Sequence, residues 1–342
     1  ALLYWASPLN NPNNDKQRYK LAIDAAQKVV ESAFRYKLMA FTDEDETFTD
    51  LYAVSENFLQ YHREIVFSTK YNTTTSVESQ NSPLTMGGKG LTNPTQNLAD
   101  AFGMANGKGI NELGSGYDKD HPYVGRDPRF YMTFAYDGST FTVNDKTQTI
   151  ETFEGGKDAT ATNKTATKTG YYLKKLLSPQ AVWDGRTNNI TRTWILMRYA
   201  EVLLNCAEAM NEYYDTPSAA PKDSIYKVVE LIRKRAQLNP YRLPAGLSKE
   251  EMREVIRNER RVELAFENLR YWDLVRWRVA SKVMNNTTFS ALIPWLDYKT
   301  KKYVFEKSVN TLNLPKTFLD KQYYLEIPGV AQNDLLEQNP GY

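Results

Sequence analysis

Cysteine is almost missing from this chain: Cys206 stands alone among 342 residues. That excludes an internal disulfide framework and any cysteine-based metal centre. Cys206 lies in an Ala- and Leu-rich stretch of helical character, where a packed core thiol is expected. Histidine is nearly as scarce. His62 and His121 provide neither an H-E-x-x-H pair nor a Cys/His cluster. His62 reads as a surface or capping residue at a helix end. No G-x-S-x-G nucleophile elbow occurs. The glycine clusters Gly87-Gly88-Lys89-Gly90 and Gly107-Lys108-Gly109 lack the strand-then-helix setting of a phosphate-cradling loop. No run is long and apolar enough to span a bilayer. Excess charge of one sign is also lacking, with 43 Lys plus Arg against 41 Asp plus Glu. A nucleic-acid binder would show a basic excess. The acidic stretch Thr42-Asp43-Glu44-Asp45-Glu46-Thr47 has no EF-hand glycine or spacing and reads as a solvated turn.

Aromatic residues, by contrast, make up 13% of the chain, with 23 Tyr and 6 Trp. Tyrosine suits both packing and binding surfaces. Residues 15–38 predict a helix, with Tyr19, Ala22, Ile23, Ala26, Val29 and Val30 at three- and four-residue steps. Thr49 or Asp50 is expected to cap a short helix reaching Gln60. From Glu64 to about Leu177 Gly, Thr, Asn and Pro dominate. Residues 63–70, 130–136 and 140–147 read as short strands there, with Asp137-Gly138 as the hairpin turn between the last two.

Helices resume near Thr193. Residues 198–213 are dense in Ala, Leu and Val, residues 224–238 end at Asn239-Pro240, and Ser248 with Glu251 forms a capping box before the next helix. Residues 272–284 read as another helix. Trp194, Trp272 and Trp277 are expected in the core. Residues 285–342 read mostly as loop, with aromatic points at Phe289, Trp295, Tyr298, Tyr303 and Phe305. Trp295 suits either packing or binding. Consecutive helix pairs of this kind look like tetratricopeptide repeats, without a clean 34-residue period.

The densest pattern is E-R-x-x-E-L-x-x-E-x-x-R-x-x-D-L-x-R-W over residues 259–277. Read as a helix, its apolar face runs through Met252, Val255 and Ile256 to Phe266 and Leu269, and the same face carries Glu259 and Glu263. An unpaired buried carboxylate costs several kcal/mol, so each demands a cation. Glycosidases also use two carboxylates, but arginines this close would depress their pKa values and remove the acid. A structural ion-pair lattice is expected, built from Glu259, Glu263, Arg270, Asp273 and Arg276.

This motif resembles the SusD/RagB family of outer-membrane nutrient-binding lipoproteins of Bacteroidota. Further stretches match in family order: Asn93-Pro94-Thr95 through Asp100-Ala101-Phe102, then Arg126-Asp127-Pro128-Arg129, Arg198-Tyr199-Ala200-Glu201 through Ala207-Glu208-Ala209, Ile327-Pro328 and the closing Gln338-Asn339-Pro340-Gly341-Tyr342. The resemblance implies a mainly α fold of irregular tetratricopeptide-like helical repeats with an inserted loop-rich region containing short β-hairpins. On that basis residues 1–62 are expected as a helical repeat portion, 63–192 as the loop-rich ligand-binding region, 193–284 as helical repeats carrying the motif, and 285–342 as an irregular segment. The chain begins without an initiator Met, a signal peptide or a lipid-attachment cysteine, and Ala1–Ala6 reads as the inside or end of a helix. Beside the family's longer members it looks like a C-terminal portion.

The resemblance further implies a non-catalytic role without cofactor or metal. The protein would bind an oligosaccharide or polysaccharide at the cell surface, lipid-anchored to the outer membrane in its full-length form. It would deliver that ligand to a TonB-dependent, SusC-like transporter. Sugars present flat CH faces ringed by hydroxyls, which aromatic rings and neighbouring polar side chains can grip. The loops offer Trp183, Asp184 and Arg186, then Tyr71 and Asn72, and finally Tyr117, His121 and Tyr123. Two alternatives stay open: a peptide-binding member of the same family, and a helical-repeat scaffold that binds only protein.

Overall fold

The computed structural model describes residues 1–32, 34–40, 48–52, 62–70, 72–183, 190–285, 287–309, 317–329 and 336–342. Its helices in chain order are α1 Leu2–Ala6, α2 Lys16–Val30, α3 Phe48–Tyr52, α4 Ser76–Asn81, α5 Gln96–Ala101, α6 Pro128–Thr133, α7 Tyr199–Tyr213, α8 Ser224–Arg235, α9 Lys249–Glu263, α10 Arg270–Arg276 and α11 Ala280–Asn285. The strands are β1 Ile65–Ser68, β2 Asn72–Thr73, β3 Phe134–Tyr136, β4 Thr140–Val143, β5 Lys146–Thr149, β6 Tyr171–Leu173, β7 Thr191–Arg192, β8 Ile195–Arg198, β9 Ala291–Leu292, β10 Trp295–Asp297, β11 Lys302–Val304 and β12 Lys307–Ser308. Among the described residues these form two-stranded antiparallel pairs only: β1 with β8, β2 with β7, β3 with β6, β4 with β5, β9 with β12 and β10 with β11.

The helical half is organised around α7. Its small buried residues, Ala200, Ala207 and Ala209, let α2, α8 and α9 approach closely. Asp15 opens α2 by accepting the Gln17 N–H at 2.9 Å. The helix then buries Tyr19, Ala22, Ile23 and Ala26 against Val202, Cys206 and Met210. It stops at Val30, short of the expected Leu38, where Ser32 Oγ donates to the Lys28 and Val29 carbonyls. Burial pushes the Cys206 thiol up to about 12, as a packed core thiol requires.

Several local expectations are corrected. The short helix after the acidic stretch begins at Phe48, ahead of Thr49; residues 53–61 and Thr42–Thr47 lie outside the described residues. The Asp127 carboxylate accepts the Arg129 N–H at 2.9 Å and Pro128 opens α6, so residues 130–133 are helical and only β3 is strand. β3 pairs with β6 rather than with β4. The hairpin partner of β4 is β5, joined through Asn144 and Asp145, both at positive φ (55° and 56°). Two such residues in succession make the turn that matches strand twist. Asp137 instead uses Oδ1 to accept the Thr152 and Phe153 N–H groups.

The motif is not one helix either. α9 ends at Glu263 after the capping box of Ser248 and Glu251, and residues 264–269 turn, with Phe266 and Asn268 at positive φ. Cations make this break tolerable: Lys175 Nζ donates to the Glu263 and Ala265 carbonyls, and Arg198 Nη2 donates to the Glu263 carbonyl. A second break at residues 277–279 separates α10 from α11. Trp277 is core, but Trp194 and Trp272 are exposed, at 38% and 42%. Trp194 lies between β7 and β8, outside any helix.

Candidate functional site

Two buried charge networks hold the frame on which the candidate residues sit. The first centres on Glu263. Its carboxylate accepts from Arg198 Nη1 at 2.8 Å, Arg129 Nη1 at 3.1 Å and Arg235 Nη2. Arg129 also reaches Glu259 at 2.5 Å and holds Asp127 through two hydrogen bonds of 3.1 and 2.7 Å. Arg198 extends to Glu64 at 2.7 Å and to Glu267 at 2.8 Å. Burial alone would raise the Glu263 carboxyl, but Arg235, Arg198 and Arg129 outweigh it and hold the group far below the usual range. A general acid needs the opposite shift, so Glu263 serves structure.

The second network joins Arg260 to Asp273 at 3.1 and 3.0 Å, and Arg276 to Asp273 and to Glu208, the latter at 2.7 Å. Trp277 Nε1 donates to Glu208 at 2.7 Å. Arg270, expected in this lattice, pairs with no carboxylate among the described residues. Its guanidinium instead lies over the Trp277 ring, 5.9 Å from the centroid, and burial together with Arg261 lowers it to about 10.

The ligand-binding candidates fall into separate groups. Trp183 is half-buried at the edge of the core formed by Met86, Phe141, Val143 and Tyr172. Its N–H donates to Asn144 Oδ1 at 2.9 Å and its Nε1 donates to the Gly87 carbonyl at 3.2 Å. Asn72 is exposed at the start of β2, opposite Arg192. Tyr71, Asp184 and Arg186 lie outside the described residues.

Tyr117, His121 and Tyr123 share the loop closed by the Met104–Arg126 bridge. Tyr117 is half-buried, with the Arg126 guanidinium 5.5 Å from its ring. His121 is exposed and holds Asp118 at 2.7 Å, an interaction that draws the Asp118 carboxyl below its ordinary range. Tyr123 is half-buried. Its ring lies 4.5 Å from Tyr136 and 5.7 Å from Phe305, inside an aromatic cluster, and burial pushes its hydroxyl well up.

A different aromatic set is the more open. β10 and β11 form a hairpin that exposes Trp295, Tyr298 (77%) and Tyr303, with Phe153 5.4 Å from the Tyr303 ring. Asp297 stabilises the turn by accepting the Lys299 N–H and the Thr300 hydroxyl, both at 2.8 Å. The readable signal was alternation, with Trp295, Asp297, Lys302 and Val304 on one face and Leu296 and Tyr303 on the other.

Comparison with known proteins decides the family. The SusD family profile matches residues 58–342. The chain belongs to the SusD family. The SusD-like protein P2 of Formosa agariphila is 32% identical over 157 residues, 44% of this chain and 26% of that protein. A SusD-like carbohydrate-binding protein of Bacteroides fragilis superposes with a TM-score of 0.70 at 21% identity, covering 92% of this chain and 60% of that one. The surface glycan-binding protein A of Bacteroides fluxus gives 0.54 at 19% identity, covering 96% and 60%. This SusD-family chain thus spans less than two thirds of each of those relatives. Like them it is mostly helical with small strand pairs and tetratricopeptide-like repeats. Among its described residues no helix is long and apolar enough to cross a membrane.

Proposed function

We propose that this SusD-family chain is a non-catalytic nutrient-binding component of the cell surface, which captures an oligosaccharide for a TonB-dependent transporter of the SusC type. Family membership supports surface capture, and two structural relatives are named for carbohydrate or glycan binding. The observation that carries the reading is the aromatic hairpin of β10 and β11. Trp295 and Tyr303 are exposed on opposite faces of one short element whose register is fixed by pairing, with Tyr298 at its turn, so each face offers one ring. Rings held this way stack on the CH face of a sugar at low entropic cost. Exposed Glu154 and Lys301 flank them and suit hydroxyls. Catalysis is disfavoured because the Glu259 and Glu263 carboxylates are committed to Arg129.

The test is a binding screen of the protein against plant, microbial and host polysaccharides and mixed peptides, with Trp295→Ala and Trp183→Ala alongside. Saturable binding of one glycan is expected, weakened roughly tenfold by Trp295→Ala. Loss only with Trp183→Ala moves the site to that loop. Silence on every glycan with binding of peptides overturns the reading.

A further inference from the structure

The chain as a whole is nearly neutral, but the aromatic hairpin is not. Residues 295–304 hold three lysines, Lys299, Lys301 and Lys302, against one carboxylate, Asp297, which leaves two positive charges in excess. All three lysines are exposed and none meets a carboxylate among the described residues, whereas Lys307, just past the hairpin, pairs with Asp100 at 2.6 Å. Asp297 stands directly opposite Lys302 in the register, yet its Oδ1 and Oδ2 are taken by the Lys299 N–H and the Thr300 hydroxyl.

Charge is also sorted along the hairpin. Glu154 and Glu306 lie at its base: the Glu154 N–H donates to the Pro294 carbonyl at 2.7 Å, and Glu306 follows Phe305, which packs into the aromatic cluster. The lysines lie at the turn with Tyr298, whose ring centre is 5.8 Å from Lys301 Nζ. From Pro294 to Tyr298 four extended residues span about 13 Å. Exposed charges that far apart are largely screened from each other at physiological ionic strength, where the Debye length is about 8 Å. The turn is therefore a cationic tip that carries its own ring. Below it, Lys302 shares a face with Trp295 as its diagonal cross-strand neighbour.

A neutral sugar would use the rings and leave three ammoniums without a counter-charge. A sugar bearing a carboxylate or a sulfate would use both. Lysine ammoniums are compact charges on flexible stems, which suits anions repeated along a polymer better than one fixed planar group. We propose that the glycan taken by this hairpin is an anionic polysaccharide carrying uronate carboxylates or sulfate esters, one unit resting on Tyr298 among Lys299, Lys301 and Lys302 and the chain continuing over Trp295 and Lys302. This rests on the glycan reading of the same hairpin. Single-stranded nucleic acid also pairs rings with cations, but 43 Lys plus Arg against 41 Asp plus Glu does not supply the basic excess that follows its backbone.

The experiment is calorimetric titration of the intact protein with anionic polysaccharides (polygalacturonate, alginate, a sulfated galactan) and neutral ones (starch, xylan, the desulfated galactan). Single-stranded DNA serves as a polyanion that is not a saccharide. Saturable binding of an anionic polysaccharide is expected, about tenfold weaker at high salt and about tenfold weaker in a Lys301→Gln, Lys302→Gln double variant. Polygalacturonate and the sulfated galactan separate carboxylate from sulfate. Both lysines are exposed, and circular dichroism verifies that the variant folds. Binding confined to neutral polysaccharides overturns the proposal and leaves the glycan reading standing, whereas silence on every polysaccharide overturns both. DNA bound as tightly as the best polysaccharide, or a double variant that binds as well as the parent, also overturns the proposal.

Discussion

Arg198 holds Glu263 twice: Nη1 donates to the carboxylate and Nη2 to the backbone carbonyl of the same residue, each at 2.8 Å. One guanidinium, at the junction of β8 and α7, thus neutralises the last side chain of α9 and closes that helix's final carbonyl. Arg235 of α8 and Arg129 of α6 converge on the same carboxylate. The loop-rich region and the helical half are thereby tied through a single buried glutamate.

Breaking such a pair strands a buried charge, at a cost of ~3–5 kcal/mol. Arg198→Leu is expected to destabilise the protein by that amount, and Glu263→Gln to destabilise it as well, because three guanidiniums then face a neutral amide. Urea-denaturation midpoints measure both. Shifts no larger than those of surface substitutions, within about 0.5 kcal/mol, would show that the lattice contributes no stability.

The same networks set how stability depends on pH. Burial pushes the carboxyls of Glu263, Glu208, Glu267 and Asp273 up, but their arginine and lysine partners bring each below its ordinary value. Their stabilisation is complete above the unfolded carboxylate pKa of about 4 and is lost as pH falls below it. Lys175 adds a slope at the alkaline end. Burial lowers its ammonium from 10.5 to about 8, against the pull of Glu267. Between those values the unfolded chain keeps the proton that the folded chain releases, so this group's contribution rises with pH across the window. Denaturation free energies at the two ends of that window are the measurement. The gain in the parent is expected to exceed that in Lys175→Met by roughly 2–3 kcal/mol. Parallel pH profiles would refute it.

Periodicity made α2, α7, α8 and the start of α9 legible, because each buries one stripe against its neighbours. It failed where tertiary contacts override local pattern. The break after Glu263 depends on Lys175 and Arg198, 88 and 65 residues away, receiving the freed carbonyls. The β4–β5 hairpin turned at Asn144-Asp145 rather than at Asp137-Gly138 because Asp137 is engaged with Thr152 and Phe153, and β3 is taken by β6. Glu259 and Glu263 were readable as buried charges from their positions on an apolar face, and Asp273 and Arg276 entered the expected lattice through the charged motif. Arg270 was not, since only the break at residues 264–269 carries it to the Trp277 ring. Among the aromatic candidates, Tyr123 lies in a loop but is half-buried against an aromatic cluster, whereas Trp194 and Trp272 looked like core and are exposed. Short polar segments carry too little pattern to say which face of a loop meets solvent.

Arg126 gives the means to decide whether the loop holding Tyr117 and His121 takes part in binding. Its side chain is buried and meets no carboxylate among the described residues. It donates instead to four carbonyls, Pro122 at 2.9 Å, Ala99 and Phe102 at 2.5 Å and Gly103 at 3.3 Å, while its guanidinium lies 4.5 Å from the Phe130 ring centre. It therefore pins both ends of the loop and closes the C-terminal end of α5. Lysine has a single ammonium and cannot reproduce the planar fork. Arg126→Lys is expected to cost ~1–3 kcal/mol and to speed hydrogen exchange at residues 103–125. Unchanged exchange there would show that the fork does not hold the loop. With the loop loosened, lower affinity for the glycan ligand would include Tyr117 and His121 in the site. Unchanged affinity would leave binding to the fixed register of β10 and β11, where Trp295 and Tyr303 do not depend on Arg126.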